Sequence, residues 1–269
     1  MKSAAIKKQN NQILPPRSRL WTPLKLSDLI AWHSVRTLQK LTADATTEFF
    51  YDVSGHQNVL RQTTSSKQPT VKVSSNFGNL KVLDFDASND VVAATTPSDS
   101  LDIADGDFFF CAAIAADADT TNQTIMSLQR ESADELRLFL TASGVFTFRI
   151  SGSEISSAAG DLEGSVNLVY AERINGTMKV YVNGTVGGVT DTSTSDITSN
   201  TATVLGALNT GGAQLYDGQI AEVVYGGSTS KGIMDDDKRQ RLEGYMAHRC
   251  NIASRLVSTH PYKNGPPRF

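Results

Sequence analysis

Apolar and polar residues alternate with a period of two along most of the chain. From about Lys81 onward the pattern reads as strand after strand. Residues 81–85, 108–114 and 123–128 are apolar runs bounded by Asp, Ser, Thr and Asn. Leu136, Leu138 and Leu140 alternate with Arg137 and Phe139, and Phe146, Phe148 and Ile150 with Thr147 and Arg149. Residues 166–173, 177–182, 202–208 and 219–225 continue the series. Such alternation sets one side of each strand on a core and turns the other toward water or a partner. Turn chemistry agrees: Ser143-Gly144, Asn175-Gly176 and Asn183-Gly184 join strand-like segments, and Asn-Gly tolerates positive φ at both corners of a type I′ hairpin turn. Many short strands with close turn signals and no α/β alternation predict an all-β, antiparallel two-sheet sandwich.

Two stretches depart from this pattern. Between Leu20 and Leu41 the spacing of Leu26, Leu29, Ile30, Val35, Leu38 and Leu41 suits a helix in places, while residues 29–32 suit equally a short strand before a helical turn. Near the end, Asp235, Asp236 and Asp237 precede Leu242, Tyr245 and Met246 at helical spacing. Acidic residues favour a helix N-terminus through its dipole and its free N–H groups, so a C-terminal helix is expected there. Pro261, Pro266 and Pro267 prevent its continuation.

Charge adds an asymmetry. The first 25 of 269 residues carry Lys2, Lys7, Lys8, Arg17, Arg19 and Lys25 and no acid, which leaves the remainder at −9 for a net charge of −3. Residues 1–20, with Pro15-Pro16 favouring polyproline II, are expected to form an extended basic arm, and residues 21–269 a single domain. Basic arms commonly bind nucleic acid or acidic protein surfaces. The arm cations Lys2, Lys7, Lys8, Arg17 and Arg19 are therefore candidate partner-docking residues. Cys111 and Cys250 lie among apolar neighbours and read as small buried hydrophobes, with a bridge between them left open. The start of the chain lacks the apolar core of a signal peptide, and no stretch reaches a membrane span, so synthesis in a cytoplasm and no membrane contact are expected. Asn175-Gly-Thr and Asn183-Gly-Thr match the glycosylation pattern but are better explained as turns.

Candidate chemistry is sparse. A glycoside hydrolase needs two carboxylates roughly 5–10 Å apart across a cleft, and no strand carries Glu and Asp alternating on one side. Glu131, Asp134 and Glu135 read as a turn and Glu172 as a strand end. His33, His56, His248 and His260 lack metal-ligand spacing. Asp84, Asp86 and Asp90 supply too few oxygens for calcium. No catalytic residue, metal or cofactor is expected. Sugar binding needs an aromatic platform with polar neighbours. Tyr216, in the loop 211–218, is the candidate glycan contact, with Tyr225 a second, and 260–262 is expected to clamp the C-terminus onto the body.

Four stretches carry a family likeness. Leu29-Ile30-Ala31-Trp32 is followed by Asp52-Val53-Ser54-Gly55 and Lys67-Gln68-Pro69-Thr70; Val82-Leu83-Asp84-Phe85-Asp86 leads into a long β stretch; residues 174–184 form a hairpin; and residues 218–223 lead to 241–249, His260-Pro261-Tyr262-Lys263 and Pro266-Pro267. Together they resemble the concanavalin A-like, laminin G-type jelly-roll domains of bacteriophage virion proteins. The chain departs from that pattern at His33-Ser34-Val35, and the arm matches nothing in it. The resemblance implies a jelly roll with a lectin-like surface; hydrolases share this fold, and the missing pair of same-side acids makes a non-enzyme the expectation, with an enzyme acting on polysaccharide a third reading. The resemblance further implies a phage virion structural protein of decoration, knob or short-appendage type, anchored by its arm on capsid, neck or tail proteins in many copies or as a homo-oligomer. The alternative is a tail or baseplate receptor-binding adhesin recognising host surface glycans.

Overall fold

The alternating segments pair into two antiparallel sheets. The computed structural model describes residues 20–94, 102–118, 120–129, 134–187, 190–198 and 201–269, with the backbone only of 134 and 135. The basic arm before Leu20, with its five docking candidates, lies outside the described residues. In chain order the strands are β1 (Leu29–His33), β2 (Phe49–Phe50), β3 (Leu60–Arg61), β4 (Thr70–Ser74), β5 (Leu80–Asp86), β6 (Val92–Ala94), β7 (Asp107–Ala116), β8 (Gln123–Gln129), β9 (Asp134–Leu140), β10 (Phe146–Ile150), β11 (Ser153–Ser156), β12 (Val166–Ile174), β13 (Thr177–Val182), β14 (Thr185–Val186), β15 (Asp191–Thr192), β16 (Ala202–Leu205) and β17 (Asp217–Ser228). Helix α1 (Val35–Leu38) follows β1, and α2 (Asp236–Arg249) follows β17. The ambiguous segment is thus a short strand and then one helical turn. Asp134, expected at a turn, opens β9.

One sheet has nine strands in the order β14-β13-β12-β7-β17-β5-β4, with β1 also on β17 and β15 on β13; the other has eight, in the order β11-β10-β9-β8-β16-β6-β3-β2. The inner faces meet in a core built from alternating positions such as Leu136, Leu138, Leu140, Phe146, Phe148 and Ile150. The Asn-Gly corners behave as their chemistry requires: Asn175 and Gly176 have φ of 52° and 78°, Asn183 and Gly184 of 53° and 82°.

The middle of the outer face of the nine-stranded sheet is covered rather than solvated. Phe109, Cys111, Ala113, Leu168, Tyr170, Tyr181, Ala221 and Val224 form a second core there with Leu242, Tyr245, Met246 and Ala247 of α2, and with Trp21 and Trp32. All ten residues of β7 are consequently buried. Both cysteines are buried and free, the small hydrophobes that their neighbours predicted. Helix α2 begins where the three aspartates predicted it, with the Asp235 side chain accepting from Lys238 N at 2.8 Å.

The C-terminal tail then folds back on the helix. His260 Nε2 lies 3.3 Å from Glu243 Oε2, and Trp21 N donates to Pro267 O at 3.0 Å. Tyr262 passes so near that a Cβ on Gly244 would stand 2.4 Å from the Tyr262 Cβ. Ala normally stabilises a helix interior relative to Gly by up to about 1 kcal/mol, but overpacking costs about 1–3 kcal/mol. Gly244→Ala should therefore lower the urea midpoint. A raised midpoint would show that the tail does not pack against the helix as described.

Candidate functional site

The segment from β1 to β3 builds a groove at one edge of the sandwich. Ser34 caps α1, accepting from Arg36 N at 3.3 Å. Val35 and Leu38 are completely buried, which turns Arg36, Thr37 and Lys40 outward. The chain beyond the turn is fixed to β5: Gln39 donates to Lys81 O at 2.9 Å, and Lys81 Nζ donates to Leu41 O at 2.5 Å. In β2 the strand alternation buries Phe50 and leaves Phe49 and Tyr51 outward, their rings stacked at 5.4 Å and 24°. Tyr51 is 47% exposed. The Arg61 guanidinium sits 5.3 Å from the Phe49 ring centre. Arg36, Thr37, Lys40, Leu41 and Tyr51 line a groove of about 490 Å³.

The acids of this segment are occupied. Glu48 pairs with Arg61 at 2.6 Å and Asp44 with Lys72 at 2.8 Å. Asp52 accepts from Trp32 N at 2.9 Å, Ser54 N at 2.7 Å and Asn58 N at 3.0 Å. Burial alone would raise the Asp52 pKa, but these hydrogen bonds outweigh it and hold the carboxyl below its ordinary value. Arg36 and Lys40 pair with no acid among the described residues.

Behind the groove lies a buried polar cluster that sequence reasoning missed. The register of β17 on β7 shifts between Ile220 and Glu222. This bulge puts Ala221 and Glu222 both on the helix side, whereas simple alternation would send Glu222 inward with Ile220. Glu222 accepts from Trp32 Nε1 at 2.6 Å, and from Ser34 Oγ and Val35 N at 3.3 Å each. Arg249 of α2 stands 3.8 Å away. Burial nevertheless pushes the Glu222 carboxyl up to about 7. His33 is sandwiched between Phe50 and Tyr225, at 5.3 and 5.8 Å. Burial lowers its pKa to about 4, so the ring is neutral; its Nδ1, 3.1 Å from Phe50 O, carries the hydrogen because a carbonyl can only accept.

Two further cavities differ in character. One of about 300 Å³ is lined by Glu172, Asn175, Lys179, Asp235 and Asp236 among others. Its acids all have partners: Glu172 accepts from Tyr170 at 2.8 Å, Asp235 caps α2, and Asp236 pairs with Arg239 at 3.0 Å. The other, of about 250 Å³, includes Arg61, Gln62, Val91 and Thr210. At the end of β5, Asp90 is pushed up to about 7, by burial first and then by Asp86. Among the described residues no three His, Cys, Asp or Glu side chains are grouped to hold a metal ion.

Tyr216, the glycan-contact candidate, is a core side chain. It is completely buried, edge-on to Phe85 at 6.0 Å, and offers no face to a sugar. The loop that looked like a rim turns this ring inward. Tyr225 is buried as well. Among the described residues the exposed aromatics are instead Tyr51 and, at the C-terminus, Phe269, which lies under Lys25. The signal for Tyr51 in the sequence was the run Phe49-Phe50-Tyr51, whose alternation leaves two aromatics on the solvent side.

Fold and surface define a lectin-like jelly-roll sandwich with one face closed by a helix. Residues 86–228, more than half of the chain, match the family Laminin_G_3, described as the concanavalin A-like lectin/glucanases superfamily, and the chain belongs to it. Among solved structures the chain resembles the Trypanosoma rangeli sialidase in complex with sialic acid, at 13% identity and a TM-score of 0.58. The match covers 82% of this chain and 33% of the sialidase, so the chain spans about a third of that protein. The Ruminococcus gnavus IT-sialidase CBM40 bound to α2,3-sialyllactose matches at 16% identity and a TM-score of 0.43, over 53% of this chain and 84% of that one. No curated protein matches the chain in sequence.

The buried Glu222 generates a pH dependence. Its folded pKa, about 7, lies above the ordinary value of 4.5. Between these values the folded chain keeps a proton that the unfolded chain has lost, so this group's contribution to stability falls as pH rises through that window. Glu222→Gln should match wild type near pH 4 and exceed it at pH 8 by about 3 kcal/mol. Equal offsets at both pH values in chemical denaturation would contradict a protonated Glu222.

Proposed function

We propose that the chain is a non-enzymatic, glycan-recognising module whose binding surface is the edge around Tyr51. The observation that carries this reading is the exposed Tyr51 ring, stacked on Phe49 and bordering a groove with polar and cationic walls. A sugar ring lays its apolar face on an aromatic and presents hydroxyls to polar neighbours, which is the combination this edge offers. The family's description names both lectins and glucanases. The carboxylates favour the lectin side. Glu222 and Glu243 are completely buried, and the acids of the open acidic cavity already hold a hydroxyl, a helix end and an arginine.

The module is further proposed to be a component of a bacteriophage particle, as a decoration, knob or short-appendage protein or as a tail or baseplate adhesin. The resemblance of the stretches 29–32, 52–55, 67–70, 82–86, 174–184, 218–223, 241–249 and 260–267 to virion jelly rolls supports this place. So does the basic arm preceding an acidic body. A cationic arm can neutralise acidic groups of a partner shell, each exposed pair contributing about 0.2–1 kcal/mol, and salt screens such contacts.

Two measurements test these parts separately. On a glycan array the full chain should bind sugars, Tyr51→Ala should lose that binding, and no product should be released from the same glycans. Release of product that Glu172→Gln abolishes would make the chain a hydrolase. Deleting residues 1–19 should leave glycan binding and circular dichroism intact while removing the protein from particles that lack the native copy. Undiminished, salt-insensitive occupancy would overturn the arm's role.

A further inference from the structure

We propose that the groove beside Tyr51 selects a carboxylate-bearing sugar, with Arg36 and Lys40 holding the carboxylate while Tyr51 and Leu41 carry the ring. The inference rests on reading this edge as glycan-binding and names the ligand class. Its basis is a local charge imbalance. The segment 34–61 contains three acids, Asp44, Glu48 and Asp52. Asp44 is paired with Lys72, Glu48 with Arg61, and Asp52 is enclosed by Trp32, Ser54 and Asn58. Lys81, the other cation nearby, donates to the carbonyls of Gln39 and Leu41. Arg36 and Lys40 are left as uncompensated cations, both exposed and both on the groove wall. Other described cations, Lys67 and Arg149 among them, also lack an ion pair; what marks Arg36 and Lys40 is that both border the groove that Tyr51 lines.

Their placement is fixed by the fold. Both leave the same side of the capped turn α1, whose Val35 and Leu38 are anchored in the two cores. A guanidinium presents a planar donor fork that fits a carboxylate, and an ammonium adds a second charge without a directional demand. Leu41 and the Tyr51 ring give the groove an apolar floor and wall, which suits the C–H face of a pyranose better than a hydrated peptide carboxylate. At about 490 Å³ the groove is of ligand-pocket size.

The test is calorimetric titration of the full chain with 3′-sialyllactose, a glucuronate-containing hyaluronan tetrasaccharide, lactose and a glutamate tetrapeptide. At least one carboxylated sugar should bind about tenfold more tightly than lactose, and Arg36→Ala or Lys40→Ala should remove that preference, a charge-assisted hydrogen bond being of that size. Neither side chain supports the fold, so both variants should keep the wild-type melting temperature. Tyr51→Ala should weaken every sugar. Lactose bound as tightly as the acidic sugars would overturn the selectivity and leave glycan recognition standing. Peptide bound as tightly as the sugars would overturn the ligand class. No sugar bound at all would overturn both readings.

Discussion

Helix α2 lies on a sheet face that could not stay exposed. The outer side of the nine-stranded sheet carries Phe109, Cys111, Leu168, Tyr170 and Val224, and burying side chains of this size contributes about 1.5–3 kcal/mol each. The cover also carries charge into the interior. Glu243 is held by Arg239 at 2.6 Å and approached by His260 at 3.3 Å. Arg239 further lies 4.0 Å over the Tyr181 ring. Removing one partner of such a pair strands a buried charge, which typically costs about 3–5 kcal/mol. Arg239 over Tyr181 ties the helix to the sheet, and His260 against Glu243 ties the tail to the helix.

This cover closes one broad face to ligands. Among the described residues, the groove between α1 and β2 is a surface where an exposed aromatic stacked on a second ring borders two cations without an ion pair. The two regions are mechanically joined. Trp32 of β1 packs edge-on against Tyr245 of α2 at 5.6 Å, and its indole donates to Glu222. Glu222 in turn holds Ser34 and Val35, from which the groove wall begins. The bulge at Ala221 thus acts at a distance by aiming one carboxylate at the root of the groove.

Much of the sandwich was legible in the sequence because its signals are local. Period-two alternation, Asn-Gly corners and the aspartate-led helix each follow from backbone chemistry within a few residues. The second core was legible in principle: residues 108–116 contain no alternation at all, the mark of a strand buried on both sides. The bulge left one faint mark that sequence reasoning missed: plain alternation would put the acid Glu222 on the same side as the core residue Ile220. The candidate site suffered from the same limit. Tyr216 sits in a glycine-rich loop that reads as a rim, and only its packing on Phe85 reveals a core residue. Arg36 and Lys40 gain meaning only when the acids around them are seen to be engaged elsewhere.

The central claim, that the closed helix face leaves the Tyr51 edge as the binding surface, is tested most directly by backbone-amide NMR during titration with an acidic oligosaccharide. The account predicts shifts concentrated at Arg36, Thr37, Lys40, Leu41 and Tyr51, with the amides of β12, β13 and α2 unmoved. Shifts centred instead on Glu172, Lys179 and Asp235 would place the ligand in the acidic cavity and contradict it.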